Sequence, residues 1–252
     1  MRRSSLDGSA NPAAPSKPEY RGRGQVGTLP AIYTNAPSCE RSAPRGGARN
    51  RADRASDGLT DKQVDKLLGA SRYALATGRA FQRHWIIHYG KAGIAPEDAT
   101  RFISRLLDLA SKQARREGGR LAAIWVRENA SDKGEHVHIL LHLPAAMRLH
   151  GRTRRWIEAA GGKWHRGISK VRIVAGCLPK VRMNTDSHHA ANATNVLRYL
   201  LKGASAEMGE KLDLKRAGCD GRIVGKRCGW TQNIGVSAKA KGEKVSATDE
   251  GE

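Results

Sequence analysis

Three side chains in one short stretch have the chemistry to hold a divalent cation: Glu128, His136 and His138, within the segment running from Trp125 to Pro144. Two apolar runs, Leu121 to Val126 and Val137 to Leu143, flank the polar segment Ser131-Asp132-Lys133-Gly134, which predicts a β-hairpin with a longer loop. Strand side chains alternate faces, so His136 and His138 point one way and Val137 the other. If the hairpin closes near Asp132, Glu128 lies across from His136 on the same side, because directly opposed residues of antiparallel strands share a face. One carboxylate and two imidazoles then converge with coordination positions to spare. Such a set suits Mg²⁺ or Mn²⁺, and two histidines with a glutamate also suit Zn²⁺. Two hydrogen-bonded histidines without a metal are the structural alternative. Against it, Val137, Ile139, Leu141 and Leu143 make one face while His136, His138 and His142 interrupt the other, in a strand otherwise fit for burial.

A second stretch offers a nucleophile. Asn192-Ala-Thr-Asn195-Val-Leu-Arg198-Tyr199-Leu-Leu-Lys202-Gly203 predicts a short helix with Asn or Thr at its start and Gly203 at its end. Tyr199 and Lys202 are three apart and share a helix face, with Asn195 one turn earlier and Val196, Leu197, Leu200 and Leu201 on the apolar side. A tyrosine in such a place commonly packs by its ring and hydrogen-bonds by its hydroxyl. Beside a metal-bound phosphodiester it can instead attack phosphorus, with Lys202 orienting the phosphate or stabilising the phenolate.

Taken together, Glu128, seven intervening residues, His136-Val137-His138, and then Tyr199-Leu-Leu-Lys202 resemble the HUH endonucleases, in particular the replication initiators with a single catalytic tyrosine. The order resembles that of rolling-circle initiators, whereas conjugative relaxases usually carry the tyrosine near the N-terminus. Arg83-His-Trp-Ile-Ile-His-Tyr89 stands where that family has its first motif, so the resemblance covers roughly residues 80 to 203. The segment Gly221-Arg-Ile-Val-Gly-Lys-Arg-Cys-Gly-Trp230 is more loosely similar to the region after the tyrosine in replication proteins of bacterial plasmids and filamentous phages. The resemblance implies Tyr199 and Lys202 as catalytic residues and Glu128, His136 and His138 as ligands of Mg²⁺ or Mn²⁺. It also implies nicking and joining of single-stranded DNA or an origin hairpin through a 5′-phosphotyrosine, leaving a 3′-hydroxyl that primes a polymerase. No G-x-x-x-x-G-K-[ST] occurs, so unwinding would fall to a host helicase. A transposase or relaxase of the same superfamily, a non-catalytic nucleic-acid-binding domain of this shape, and a zinc hydrolase are the competing readings. The hydrolase lacks the helical His-x-x-x-His pattern.

Composition fits a polyanionic partner. Lys and Arg number 45 against 24 acidic residues, a formal net charge of +21 with a pI near 10.4. Trp156, Trp164 and Trp230 lie among Arg154, Arg155, Lys163, Arg166, Lys226 and Arg227, and Arg198 and Arg222 add charge nearby. Interleaved bases and aromatics suit single strands, where rings stack on bases and cations meet phosphates; the same tryptophans also suit a core. Gly221, Gly225 and Gly229 permit close approach to phosphate or an ordinary turn. No segment approaches a membrane span and no apolar stretch comes after the charged N-terminus, so a cytoplasmic protein without membrane association is expected, and the resemblance implies that it is bacterial. Cys39, Cys177, Cys219 and Cys228 form no C-x-x-C pair and predict neither a disulfide nor a zinc framework.

These residues must be positioned by a fold. Residues 1–57, rich in Ser, Pro, Gly, Ala and Arg, read as a disordered basic arm. A capped amphipathic helix starts near Leu59-Thr60, a strand covers 83 to 89, a helix runs from Glu97 to Glu117 with Pro96 in its first turn, and the hairpin comes next. A short helix at Arg154 to Ala160, a strand from Ser169 to Ala175 and the tyrosine helix complete a domain over 58–203. The expected class is α+β: a ferredoxin/RRM-like antiparallel sheet with helices on one face. Residues 204–236 read as a basic glycine-rich extension and 237–252 as a disordered tail.

Overall fold

The computed structural model of the chain describes residues 54–174, 186–215, 217–218 and 221–240. Its centre is the hairpin of β3 (Ala122–Ala130) and β4 (Gly134–His142), whose register sets Ala130 against Gly134, Glu128 against His136 and Val126 against His138. Gly134 opens β4 with φ of +63°, a left-handed conformation that glycine adopts without a Cβ penalty and that lets the three-residue loop 131–133 turn back.

β2 (Arg83–His88) pairs with β4, and β5 (Ser169–Ile173) adds outside β2. On the other side β7 (Cys228–Trp230) pairs with β3. The result is a five-stranded antiparallel sheet of order β5-β2-β4-β3-β7, and with its helices the class is α+β. A second ladder joins β1 (Ala55–Ser56) to β6 (Ile223–Val224).

Helices cover the sheet. α1 (Asp61–Ala76) opens with a capping box, in which Thr60 Oγ1 accepts from Gln63 N and Gln63 Oε1 accepts from Thr60 N. α2 (Ala99–Arg116) starts two residues later than its sequence pattern suggests, after a turn at Pro96. α3 (Arg152–Ala159) comes after the hairpin, and α4 (Asp186–Leu200) carries the tyrosine. α4 begins well before Asn192, so the predicted cap residues lie inside the helix, and Lys202 sits just past its end in the turn 201–203.

The helices occupy both faces of the sheet rather than one. Phe102, Ile103 and Leu106 of α2 and Trp156 and Ile157 of α3 pack on Trp85, Ile87, Trp125, Val137, Ile139 and Leu141. Val64, Leu67 and Leu68 of α1 and Leu197 and Leu200 of α4 pack with Ile124, Val126 and Leu140 on the opposite face. The reason is visible in β3, whose unbroken apolar run has no solvent side to give up; such runs belong to strands buried on both faces.

The segment read as a glycine-rich extension is built into this domain. Arg127, fully buried, ion-pairs with Glu135 and donates to the carbonyls of Val224 and Lys226 at 2.9 and 3.0 Å. Arg227, 1% exposed, donates to the Ser56 hydroxyl and carbonyl and to the Gly221 carbonyl. Residues 54–56 of the predicted arm are thereby tied to residues 221–227, and Tyr73 of α1 donates to the Ala238 carbonyl at 3.0 Å. Residues 1–53 of the predicted arm, residues 241–252 of the predicted tail and Ala175 of the predicted strand lie outside the described residues.

Candidate metal centre and adjacent tyrosine

The sheet register assembles the site. Across one face, Glu128 of β3 stands opposite His136 of β4, which stands opposite His88 of β2; one row along, His138 stands opposite Ile86. Glu128 Oε2 is 3.3 Å from His136 Nε2, and Glu128 Oε1 is 3.3 Å from His138 Nε2. One ligand atom from each of the three lies within 4.8 Å of the others, and all three residues are buried. Among the described residues, Glu128 Oε1 and His138 Nε2 have no hydrogen-bond partner despite their proximity. Two buried polar atoms aimed at each other without bonding are costly in a dry interior and are what a cation between them would satisfy. The group can hold a metal ion, and its donor set is that of a hard or borderline divalent cation.

The outer nitrogens of both imidazoles are occupied. His136 Nδ1 lies 2.9 Å from the Gly134 carbonyl and His138 Nδ1 lies 2.9 Å from His84 Nε2. Burial, the repulsive charge of His138 and that of Arg172 push His84 down to about 3, so this ring stays neutral through the physiological range. Burial likewise lowers His138 and His88. For Glu128 burial acts the other way, but the contacts from His136, His138 and Lys202 outweigh it and hold the carboxyl well below its ordinary range.

Lys202 Nζ is 2.7 Å from Glu128 Oε2 and 3.5 Å from the Tyr199 hydroxyl, and it lies 4.6 Å from the centre of the Tyr199 ring. The tyrosine ring meets His138 edge-on at 5.2 Å between centroids. Tyr199 is 44% exposed, so it is not the packed ring that its helix position suggested; its hydroxyl is accessible beside the carboxylate-imidazole group.

A cleft of about 490 Å³ opens over these residues, floored by His84, His88, His136, His138 and Tyr199 and rimmed by Lys133, Lys170, Arg172, Asn192 and Asn195. No acidic side chain among the described residues lines it, so it suits an anion. Comparison with protein-family models, with curated proteins and with solved structures gave no match.

The sequence-derived DNA contacts fare unevenly. Arg154, Arg155, Lys163 and Arg166 are exposed, but they belong to α3 and the loop after it, on the layer opposite the cleft, and Arg154 is engaged by Glu158 at 3.0 Å. Arg198 flanks Tyr199, half-buried, with Asp213 at 3.7 Å. Arg222 is exposed, and Lys226 stacks over Trp125 at 5.5 Å. Arg227 is a buried structural cation, not a phosphate ligand. Trp156 is buried against Trp85 at 6.3 Å and is not available as a stacking platform, whereas Trp164 and Trp230 are only partly buried against the two cores. Of the cations that line the cleft, Lys133 lies in the hairpin loop, while Lys170 and Arg172 escape sequence reasoning because nothing in an alternating strand shows which neighbour it pairs with. His84 and His88 carried a readable signal: they share strand parity within Arg83-His-Trp-Ile-Ile-His88 while Trp85 and Ile87 take the other face. Cys228 is buried with its thiol pushed up to about 11 by burial, consistent with an inert thiol; the other three cysteines lie outside the described residues. Among the described residues no helix is long and apolar enough to cross a membrane.

Proposed function

We propose that this chain is a metal-dependent DNA nickase and strand transferase that forms a covalent link through Tyr199, of the HUH, rolling-circle initiator kind and ferredoxin/RRM-like in its finer topology. The observation that carries the reading is an accessible tyrosine whose ring touches His138 and whose hydroxyl neighbours Lys202, beside a buried Glu128-His136-His138 group.

A cation held there, Mg²⁺ or Mn²⁺, would polarise a phosphodiester and offset charge as it builds on phosphorus. The chain's own residues do the rest. Tyr199 Oη attacks phosphorus, the bond from phosphorus to the 3′ oxygen breaks, and the strand is left with its 5′ phosphate on the tyrosine. The proton lost by the phenol is matched by the one the departing 3′ oxygen takes up. Lys202 holds positive charge next to the attacking oxygen, and Lys133, Lys170 and Arg172 hold neighbouring phosphates. The ester energy is retained for rejoining, and the free 3′-hydroxyl serves a host polymerase, with a host helicase supplying unwinding. Incubation with single-stranded oligonucleotides and Mn²⁺, then denaturing electrophoresis, tests this. A protein-DNA band that survives denaturation and disappears with chelator or in Tyr199→Phe supports the reading, and its absence with every strand tried, origin hairpins included, contradicts it.

A further inference from the structure

Each imidazole of the candidate metal group has two ring nitrogens, and only one can offer its lone pair toward Glu128. For His136 the choice is made by the backbone. Its Nδ1 lies 2.9 Å from the Gly134 carbonyl, which only accepts, so Nδ1 carries the hydrogen and Nε2 is left as a donor atom for a metal.

For His138 the partner is another imidazole. Its Nδ1 faces His84 Nε2 at 2.9 Å, and that contact can run in either direction. If His84 donates, the hydrogen of His138 sits on Nε2 and blocks ligation. If His84 accepts, Nδ1 of His138 is protonated and Nε2 is free for a cation. The geometry favours the second. The nitrogen of His138 that faces the candidate metal position is Nε2, 3.3 Å from Glu128 Oε1, so a ligating His138 must carry its hydrogen on Nδ1, where His84 Nε2 stands 2.9 Å away to accept it. The His84 ring is itself buried, tilted 32° against His138 with centroids 5.1 Å apart, and held by β2 one strand over from its partner. Burial favours the uncharged ring that an acceptor must be.

We propose that His84 is a positioning residue that accepts a hydrogen bond from His138 Nδ1 and so fixes His138 as an Nε2 ligand of the divalent cation. It acts through His138, as an outer partner that sets the tautomer and aim of a ligand. The proposal rests on the metal-centre reading of Glu128, His136 and His138, and the test separates the two.

Long-range ¹H–¹⁵N spectra of the metal-free protein report which nitrogen of each imidazole is protonated, and titration calorimetry with MnCl₂ reports affinity. Wild type should show His138 protonated at Nδ1. His84→Phe, which keeps a ring and removes the acceptor, should lose that preference and weaken Mn²⁺ binding by roughly 10- to 100-fold. His84→Gln, whose Oε1 can accept, should restore the Nδ1 tautomer and most of the affinity, a rescue that mere ring packing would not give. Wild-type His138 protonated at Nε2, or His84→Phe binding Mn²⁺ as tightly as wild type, would overturn the proposal. The wild-type spectrum decides even if the Phe variant fails to fold. No Mn²⁺ binding by wild type, with His138 still protonated at Nδ1 and dependent on His84, would sink the metal centre and leave the tautomer assignment standing.

Discussion

The Lys202 ammonium joins the Glu128 carboxylate, 2.7 Å away, to the Tyr199 hydroxyl, 3.5 Å away, so a single cation links the candidate metal group to the candidate nucleophile. Glu128 is 1% exposed, and among the described residues Lys202 is its nearest full positive charge. A divalent cation arriving at Glu128 competes with that ammonium, and an ammonium displaced from the carboxylate has the tyrosine oxygen within reach.

Lys202→Met should therefore destabilise the metal-free protein by about 3 kcal/mol, the low end for removing one partner of a buried pair, because Lys202 keeps some solvent contact. Mn²⁺ should recover most of that deficit, since the metal meets a carboxylate without a rival. Thermal denaturation with and without Mn²⁺ gives the comparison: the metal-induced rise in Tm should be larger in the variant than in wild type, while nicking at saturating metal falls. An equal or smaller rise would show that Lys202 does not compete.

Glu128→Gln keeps shape and removes charge, and it should abolish the Mn²⁺-induced rise in Tm. Replacing His136 and His138 together by alanine should abolish metal-dependent cleavage and leave salt-sensitive binding to single-stranded DNA largely intact. Cleavage that persists in the double variant would refute the ligand assignment.

Much of this site was legible in the sequence, and the limit has a physical cause. Strand parity and hairpin arithmetic put Glu128 opposite His136 without reference to any other part of the chain, and the observed register agrees. The three-residue spacing of Tyr199 and Lys202 likewise brought those two together. What local pattern cannot give is the neighbour of an edge strand or the layer a helix joins. Lys170 and Arg172 enter the cleft because β5 pairs with β2, setting Lys170 opposite Ile86 and Arg172 opposite His84, a long-range choice. Arg227 looked like a phosphate ligand because a basic residue among glycines is usually solvated; here its guanidinium is consumed by backbone carbonyls that close the domain.

In chelator, stability should fall as the solution is acidified. Proton counts give the sign: His84 ionises near 6.5 when unfolded and at about 3 when folded, so between those values the unfolded chain binds the extra proton and folding is disfavoured as pH drops. His138, lowered by burial, acts in the same direction. Glu128, held low in the folded state, adds to the decline below its ordinary 4.5, where the unfolded carboxylate is protonated first. Each excluded proton costs roughly 1.4 kcal/mol per pH unit. Tm measured from pH 7 to pH 4 should decline, and His84→Gln should flatten the slope. A Tm that is flat across this range would contradict the buried, neutral state of His84.

Binding of single-stranded DNA should weaken steeply with salt. Lys170→Ala and Arg172→Ala, at the cleft, should lower affinity and flatten the dependence of log K on log salt by roughly 0.7 for each phosphate no longer neutralised. Arg154→Ala and Arg155→Ala, on the opposite layer, should change the slope less. Fluorescence anisotropy at several salt concentrations ranks the four, and equal effects from both layers would place the strand elsewhere.

The nickase mechanism stands or falls on the fate of the Tyr199 hydroxyl. Tyr199→Phe removes one oxygen from a side chain that is 44% exposed, so stability should stay within about 0.5 kcal/mol of wild type. Mass spectrometry of the protease- and nuclease-digested adduct, formed with single-stranded DNA and Mn²⁺, reads the attachment point. The mechanism predicts a nucleotide joined by its 5′ phosphate to the peptide containing Tyr199, and none from the Phe variant. A nucleotide on Tyr73, Tyr89 or any other residue, or metal-dependent cleavage by Tyr199→Phe at an undiminished rate, would contradict it.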